Sequence, residues 1–336
     1  MNLQERIDLL QQVGNYMQGN DERWELAMQK ASVENAWFTR EFIILAIKNI
    51  AENFLQKQPL EALARQYSIP EINASLKRIG IVMAGNIPLV GFHDLLCVFL
   101  TGHYAVIKPS SKDDVLIRHL TDKLMEWNRA AVPYFTIAER LNNCDAYIAT
   151  GSDNTARYFE YYFRKYPHII RKNRTSVAVL TGKESKEELE ALADDVHQYF
   201  GLGCRNVTKL YVPEGYDFVP LLDAFRKYSY LIDHNKYKNN YDYRMAAHIL
   251  NNQFYMTNDS VLLVENKALF APISQVHYEY YQNEKDVQES LQKDDTIQCV
   301  VGREHVPFGQ AQCPAVNTFA DGVDTIHFLM NLGSGS

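Results

Sequence analysis

The sequence predicts an α/β protein: a doubly wound parallel sheet followed by a second α/β segment. Three observations lead there. Short continuous apolar runs, such as Ile79-Gly80-Ile81-Val82-Met83-Ala84, read as strands buried on both faces. These runs alternate with amphipathic helical stretches, the order that builds parallel sheets. Several of the runs end in a turn rich in Gly, Pro, Asn or Ser: Gly85-Asn86, Lys108-Pro109-Ser110 and Thr150-Gly151-Ser152-Asp153.

Each element has its own signal. Residues 3 to 57 read as helices, because Leu3, Ile7, Leu10 and Val13, and later Ile43, Ile47 and Ile50, recur at helical spacing. After the first strand, Pro88 is expected to begin a helix carrying Leu89, Phe92, Leu95, Leu96 and Phe99 and stopped by Gly102. Tyr104–Ile107 is the second strand. Asp113 and Asp114 start a helix with Leu116, Leu120, Leu124 and Trp127 on one side. Tyr147-Ile148-Ala149 is the third strand, a helix runs through Tyr166, and Val177–Leu180 is the fourth strand. The capping box Ser185-Lys186-Glu187-Glu188 opens a helix expected to end just before Cys204. Strands follow at Val207–Val212, Ser260–Val264, Gln275–Tyr280 and Ile297–Val301, with a helix near Glu284–Gln292. The tyrosine-rich stretch Tyr228–Tyr243 reads as surface or lid, and Gly333-Ser334-Gly335-Ser336 as a linker outside the fold.

Composition narrows the class of function. The 336 residues, 46% hydrophobic and 22% charged, suffice for one large or two ordinary domains with a well-buried core. A net charge of -7 and a pI near 5.8 leave no electrostatic footprint for nucleic acid. Five scattered cysteines (Cys97, Cys144, Cys204, Cys299 and Cys313) argue against a disulfide framework and a structural zinc site, so no metal is expected. The opening Met1-Asn2-Leu3-Gln4-Glu5-Arg6 is polar, and no apolar run is long enough to cross a bilayer. A cytoplasmic protein without a membrane span is therefore expected.

Ligands of open parallel sheets sit beyond the carboxyl ends of the strands, and three such ends carry suggestive residues. The Asn86 amide could donate to developing negative charge on an oxygen. Lys108 could meet a phosphate or ribose, and Gly151-Ser152 precedes a helix whose N-terminal amides favour a phosphate. Each also has a plain structural reading: turn former, solvated strand end, ordinary N-cap. Cys204 follows Gly201-Leu202-Gly203 and precedes an apolar strand. Glycines beside a thiol let backbone amides approach what the thiol attacks, although small thiols are commonly packing residues. Cys97, in an apolar helix, and Cys299, in an apolar strand, read as structural.

In order along the chain, these segments resemble the aldehyde dehydrogenase superfamily, and most closely its acyl-CoA reductase branch, the fatty acid reductase component of bacterial bioluminescence. Gly85-Asn86-Ile87-Pro88-Leu89 resembles the oxyanion-asparagine segment, and Val106-Ile107-Lys108-Pro109-Ser110 the adenosine-ribose strand end. Ala149-Thr150-Gly151-Ser152 resembles the turn near the dinucleotide phosphates, and Gly203-Cys204 the catalytic cysteine. Leu269-Phe270-Ala271-Pro272-Ile273 resembles the segment near the nicotinamide ribose, and Pro307-Phe308-Gly309 a late loop returning to the site. The resemblance spans roughly residues 78 to 330. It implies an aldehyde dehydrogenase-like fold: a helical N-terminus and dinucleotide-binding domain over 1–180, a catalytic domain over 181–305, and a return segment over 306–332. It implies Cys204 and Asn86 as catalytic residues, and Lys108, Ser110, Ser111, Thr150, Gly151, Ser152 and Phe270 as cofactor contacts.

The departures sharpen the expectation. Hydrolytic relatives carry a glutamate that activates water; the matching position is Val179, which has no base. Water would divert an acyl-enzyme to free acid, so its absence fits reduction. Ser111 stands where NAD-preferring relatives place a glutamate. A neutral side chain beside Lys108 tolerates a 2′-phosphate, so NADPH is expected, with NADH as the alternative. Ala268 replaces the glutamate that grips the nicotinamide ribose. The expected activity is NADPH-dependent reduction of an acyl-CoA, or another activated acyl donor, to an aldehyde through an acyl-cysteine. The competing readings are an acyl-phosphate reductase of the same fold and a nucleotide-binding pseudoenzyme or scaffold subunit. Relatives commonly assemble, which admits a homo-oligomer.

Overall fold

The computed structural model describes residues 1–332; the linker-like residues 333–336 lie outside the described residues. The chain divides into two compact units, one formed by residues 1–173 with 314 onward, the other by residues 174–313.

The first unit opens with four helices, α1 (Leu3–Met17), α2 (Glu22–Glu34), α3 (Arg40–Asn53) and α4 (Lys57–Gln66). Asn2 and Glu5 form a capping box at α1, and Asp21 and Thr39 cap the next two, so these three helices start where a side chain meets otherwise unpaired amides. Then come β1 (Arg78–Val82), α5 (Phe92–Leu100), β2 (Tyr104–Lys108), α6 (Val115–Trp127), β3 (Phe135–Ile137), β4 (Ala146–Thr150), α7 (Asp153–Phe163) and β5 (His168–Arg171). The five strands are parallel in the order β3-β2-β1-β4-β5, with β1 central. The chain winds outward from β1 first through β2 and β3, then through β4 and β5, which makes the carboxyl ends of β1 and β4 the topological switch point. Leu10, Trp24, Ile43 and Leu60 of the N-terminal helices share one core with Ile79, Ile107 and Ile148 of the strands.

The second unit carries β6 (Thr175–Val179), α8 (Lys186–His197), β7 (Val207–Pro213), α9 (Val219–Phe225), α10 (Asn235–Leu250), β8 (Met256–Thr257), β9 (Leu262–Glu265), β10 (Gln275–Tyr281), α11 (Glu284–Gln292) and β11 (Ile297–Val301). Its sheet runs β11-β6-β7-β10-β9-β8, parallel except for the β8–β9 pair. The Ser185–Glu188 capping box is made at both ends, at 2.7 and 3.2 Å. The chain then returns to the first unit, where α12 (Thr325–Met330) docks. There the buried Arg171 guanidinium at the end of β5 donates to Asp94 of α5 at 2.8 Å, to the Thr325 hydroxyl at 2.8 Å and to the Ala320 carbonyl at 2.6 Å.

The α/β, doubly wound expectation holds, with local differences. The helix after β1 begins at Phe92 rather than Pro88, because Leu89 takes a left-handed φ of 58° and gives its N–H to the Asp113 carboxylate at 2.6 Å instead of to a helical turn. Two edge strands, β3 and β5, escape the pattern because each is only three or four residues long. The fourth expected strand pairs as β6 in the second sheet. The tyrosine-rich stretch forms a 3-10 turn and α10, with Tyr228, Tyr237 and Tyr241 buried and Tyr230 and Tyr243 exposed.

Candidate active site

In the first unit, the expected nucleotide-contacting residues of this unit gather at the carboxyl end of the sheet. β1 stops at Val82, and the Met83 N–H still reaches the Lys108 carbonyl at 3.0 Å. Gly85 then passes so close to the next loop that a Cβ there would lie 2.6 Å from Ser110 Oγ, so only glycine fits. Asn86 follows, partly exposed. The Ser110 hydroxyl accepts from the Lys112 N–H at 3.3 Å, and the Ser110 carbonyl from the Asp113 N–H at 3.0 Å. Lys108, Ser111 and Lys112 are exposed. Asp113 is the hidden joint of this arrangement. Its carboxylate links the Lys108–Lys112 loop to the loop that carries Asn86, and burial pushes its pKa well above the usual carboxylate range. Across the switch point, the Gly151 N–H donates to the Arg171 carbonyl at 3.1 Å, and Ser152 caps α7 by accepting from the Thr155 N–H at 3.5 Å. Thr150, Gly151 and Ser152 thus lie on the β4 side of the switch point, and Asn86, Lys108, Ser110 and Ser111 on the other.

This donor set fits a dinucleotide. Two exposed ammonium groups, several hydroxyls and the N-terminal amides of α7 are donors of the kind that could hold phosphate and ribose oxygens, and position 111 carries no carboxylate. Asp153 in the first turn of α7 is partly spent, since it accepts the Asn173 N–H at 3.3 Å.

In the second unit, α8 ends at His197 rather than just before Cys204. Three successive residues, Tyr199, Phe200 and Gly201, then take left-handed φ values of 55°, 58° and 73°. Two of these are buried aromatics, a conformation that persists only where surroundings impose it. The imposing residue is Asn206, which is fully buried. Its side-chain oxygen accepts from the Gly203 N–H at 2.8 Å, and its amide donates to the carbonyls of Gln198 at 2.9 Å and Asp195 at 3.0 Å. The resulting tight turn presents Cys204 and Arg205 immediately before β7. Cys204 is partly exposed, whereas Cys97 and Cys144 are buried. The Ser176 hydroxyl donates to the Cys204 carbonyl at 3.1 Å and lies 3.1 Å from Cys299 Sγ, whose thiol burial pushes up.

The return loop is fastened to the same framework. The Asp195 carboxylate, 1% exposed, accepts from the N–H groups of Gly309 at 2.6 Å and Ala311 at 2.9 Å, while Arg205 donates to the Ala311 carbonyl at 3.4 Å. Burial raises the Asp195 pKa to about 7. Gly309 has a φ of 78°, and a Cβ on it would meet Ala191 at 3.1 Å. Val179, which the resemblance matches to the hydrolytic base, is buried on β6. Phe270 is half-exposed in the loop after β9, where the Leu269 carbonyl accepts from the Thr208 hydroxyl at 2.8 Å and the Ala268 carbonyl from His277 Nδ1 at 2.8 Å.

Sequence reading missed Asn206, Asp195 and Asp113. Only Asn206 left a trace, as a polar residue two positions after the cysteine at the mouth of a strand; the carboxylates needed the topology to reveal their partners. Among the described residues no cluster of His, Cys, Asp and Glu is placed to hold a metal, and no helix is long and apolar enough to cross a membrane.

The acyl-CoA reductase (LuxC) family model matches residues 10–220. Among solved structures, the chain is similar to aldehyde dehydrogenase 21 from Physcomitrella patens in complex with the reaction product succinate, with a TM-score of 0.68 at 12% identity over 99% of this chain and 84% of that one. It is similar also to the Mycobacterium tuberculosis aldehyde dehydrogenase complexed with NAD+, with a TM-score of 0.62 at 13% identity over 90% and 73%. The Pseudomonas aeruginosa aldehyde dehydrogenase KauB gives a TM-score of 0.66 at 12% identity over 90% and 72%. No curated protein matches. With the family model covering well over half its length, and with the fold of the aldehyde dehydrogenases, the chain belongs to the acyl-CoA reductase family and is an oxidoreductase of the acyl-reducing, aldehyde-forming kind.

Proposed function

We propose that the chain reduces an acyl-CoA thioester to an aldehyde with NADPH, through a covalent acyl-Cys204 intermediate. The observation that carries the reading is the contrast within the second unit. A partly exposed cysteine stands on a turn held by a buried asparagine, while the place of the water-activating base is the buried, apolar Val179.

In this reading the Cys204 thiolate attacks the thioester carbonyl, a carbon–sulfur bond forms, and the carrier leaves as its thiolate. The Asn86 amide and the Cys204 N–H hold the oxyanion; one such donor contributes about 3–4 kcal/mol in a comparable enzyme. When bound, NADPH supplies the hydride that the acyl carbon accepts. Cys204 is then released as its thiolate as the aldehyde leaves. Val179 activates no water against the thioester, which keeps the acyl group for reduction. The first unit takes the dinucleotide role, with Lys108, Ser110, Ser111, Thr150, Gly151 and Ser152 as contacts, and Phe270 flanks the nicotinamide end. The exposed Lys108 and Lys112 around a neutral Ser111 favour the extra phosphate of NADPH.

The test follows NADPH absorbance and aldehyde formation with acyl-CoA and, separately, with acyl phosphate. Cys204→Ala is expected to abolish aldehyde formation. Equal turnover by that variant removes the nucleophile assignment, and a preference for acyl phosphate replaces the donor.

A further inference from the structure

The second unit holds a donor-rich cavity that the proposed chemistry leaves unused. It encloses about 320 Å³, and Arg244, His248, Gln253, Asn266, Gln275 and His277 line it, with no carboxylate among its lining residues. Arg244 and His248 stand four residues apart on α10 and so share one face of that helix. His248 is held between two amides, with Nδ1 2.9 Å from Gln253 Oε1 and Nε2 2.9 Å from Gln275 Oε1. The Gln275 amide continues to His277 Nε2 at 2.9 Å, and His277 Nδ1 donates to the Ala268 carbonyl, so the inner wall is a connected network.

Arg244 is the exception. Its Nε is buried and makes no hydrogen bond, and among the described residues no carboxylate pairs with its guanidinium. A guanidinium is a planar fork of donors suited to phosphate, and a buried donor without an acceptor is the feature that a bound anion would complete. The cavity falls at the lower end of the size range of small-molecule sites. Its position suggests which anion. Pro272 and Gln275 also line a narrow cavity of about 20 Å³ bounded by Gly201, Val207 and Thr208, the residues flanking the Cys204 turn. The larger cavity is thus linked, through Pro272 and Gln275, to the segments on either side of Cys204.

We infer that this cavity binds the phosphoester end of the acyl donor, the adenosine bisphosphate of coenzyme A, with Arg244 as the principal phosphate ligand. The inference rests on the acyl-CoA reading, and it makes Arg244 a determinant of substrate affinity rather than of the chemical step.

The experiment compares octanoyl-CoA with octanoyl-pantetheine, which lacks the phosphates, in wild type, Arg244→Gln and Arg244→Lys. It adds calorimetric titration of adenosine 3′,5′-bisphosphate and of inorganic phosphate. For Arg244→Gln, KM for octanoyl-CoA is expected to rise about tenfold or more, the effect of one lost charge-assisted hydrogen bond. KM for octanoyl-pantetheine and kcat should stay within about twofold, and Arg244→Lys should recover part of the loss. An equal rise for both substrates, or none for either, overturns the inference. Binding of inorganic phosphate without binding of the bisphosphate overturns it in favour of a small-anion site. If wild type makes no aldehyde from octanoyl-CoA, the acyl-CoA reading fails and titration alone decides the pocket: bisphosphate binding abolished by Arg244→Gln upholds it, and no binding overturns it. Should Arg244→Gln fail to fold, Arg244→Lys and the wild-type titrations separate the same outcomes.

Discussion

Replacing Asn206 with alanine tests how the cysteine turn is built. The substitution removes three short hydrogen bonds, to the Gly203 N–H at 2.8 Å and to the Gln198 and Asp195 carbonyls at 2.9 and 3.0 Å. Each is worth about 1 kcal/mol net, and the buried Gly203 N–H left without a partner adds roughly 1–3 kcal/mol. The sum, roughly 4–6 kcal/mol, is a large part of the ~5–15 kcal/mol that holds a typical domain folded. The variant should therefore fold, but with a much lower midpoint in urea. The left-handed residues 199–201 would lose what imposes them, so Cys204 should be presented less well. Aldehyde formation should fall at least tenfold, and the rate of iodoacetamide labelling of Cys204 should change. Asn206→Asp should do no better, because it keeps the acceptor but turns carboxylate oxygens toward the Gln198 and Asp195 carbonyls. A stability loss below about 1 kcal/mol with unchanged labelling and turnover would refute the assignment of the turn to this side chain.

Three further outcomes are expected. The folded state holds the Asp195 proton more tightly than the unfolded chain does, with a pKa of about 7 against 3.8. This carboxyl thus favours folding at low pH, and its contribution is lost as pH climbs from about 4 to about 7, roughly 4 kcal/mol in all; urea unfolding between pH 5 and 8 should show a falling slope that flattens in Asp195→Asn, and parallel slopes would count against it. Ser111→Glu should raise KM for NADPH roughly tenfold while sparing NADH, since a new carboxylate repels a 2′-phosphate; steady-state kinetics with both cofactors decides. Gly85→Ala, whose Cβ would sit 2.6 Å from Ser110 Oγ, should cost about 1–3 kcal/mol and raise KM for NADPH, whereas an unchanged melting curve and KM would show that the two loops have slack.

Long apolar runs and glycine-bearing strand ends made β1, β2, β4, β6 and the alternation legible, because strands buried on both faces leave a continuous signal. The Ser185–Glu188 box and the helix at Glu284–Gln292 were readable for the same reason: their determinants are local. β3 and β5 were not, since two or three apolar residues at a sheet edge resemble any loop. The helix start after Pro88 failed because Asp113, more than twenty residues further on, captures the Leu89 N–H. Tyr237 and Tyr241 looked like surface because tyrosine is amphipathic and its burial depends on what packs over it. Among candidate site residues, those proposed to meet ligands sit at legible strand ends, whereas those that hold the loops are hidden. Asn206 and Asp195 act through backbone groups, and backbone partners leave no pattern in a linear string.

The clamp around Arg171 has a consequence for biogenesis. Its guanidinium is completed by Ala320 and Thr325, Tyr67 reaches Asp324 at 2.6 Å, and His93 lies 2.8 Å from the Val316 carbonyl. All four of these later residues emerge from the ribosome only after the whole of the second unit. The contiguous second unit can close as soon as it is synthesised. The first must wait, its Arg171–Asp94 ion pair made but the guanidinium still lacking its Ala320 and Thr325 acceptors, for the residues from 314 onward to thread home.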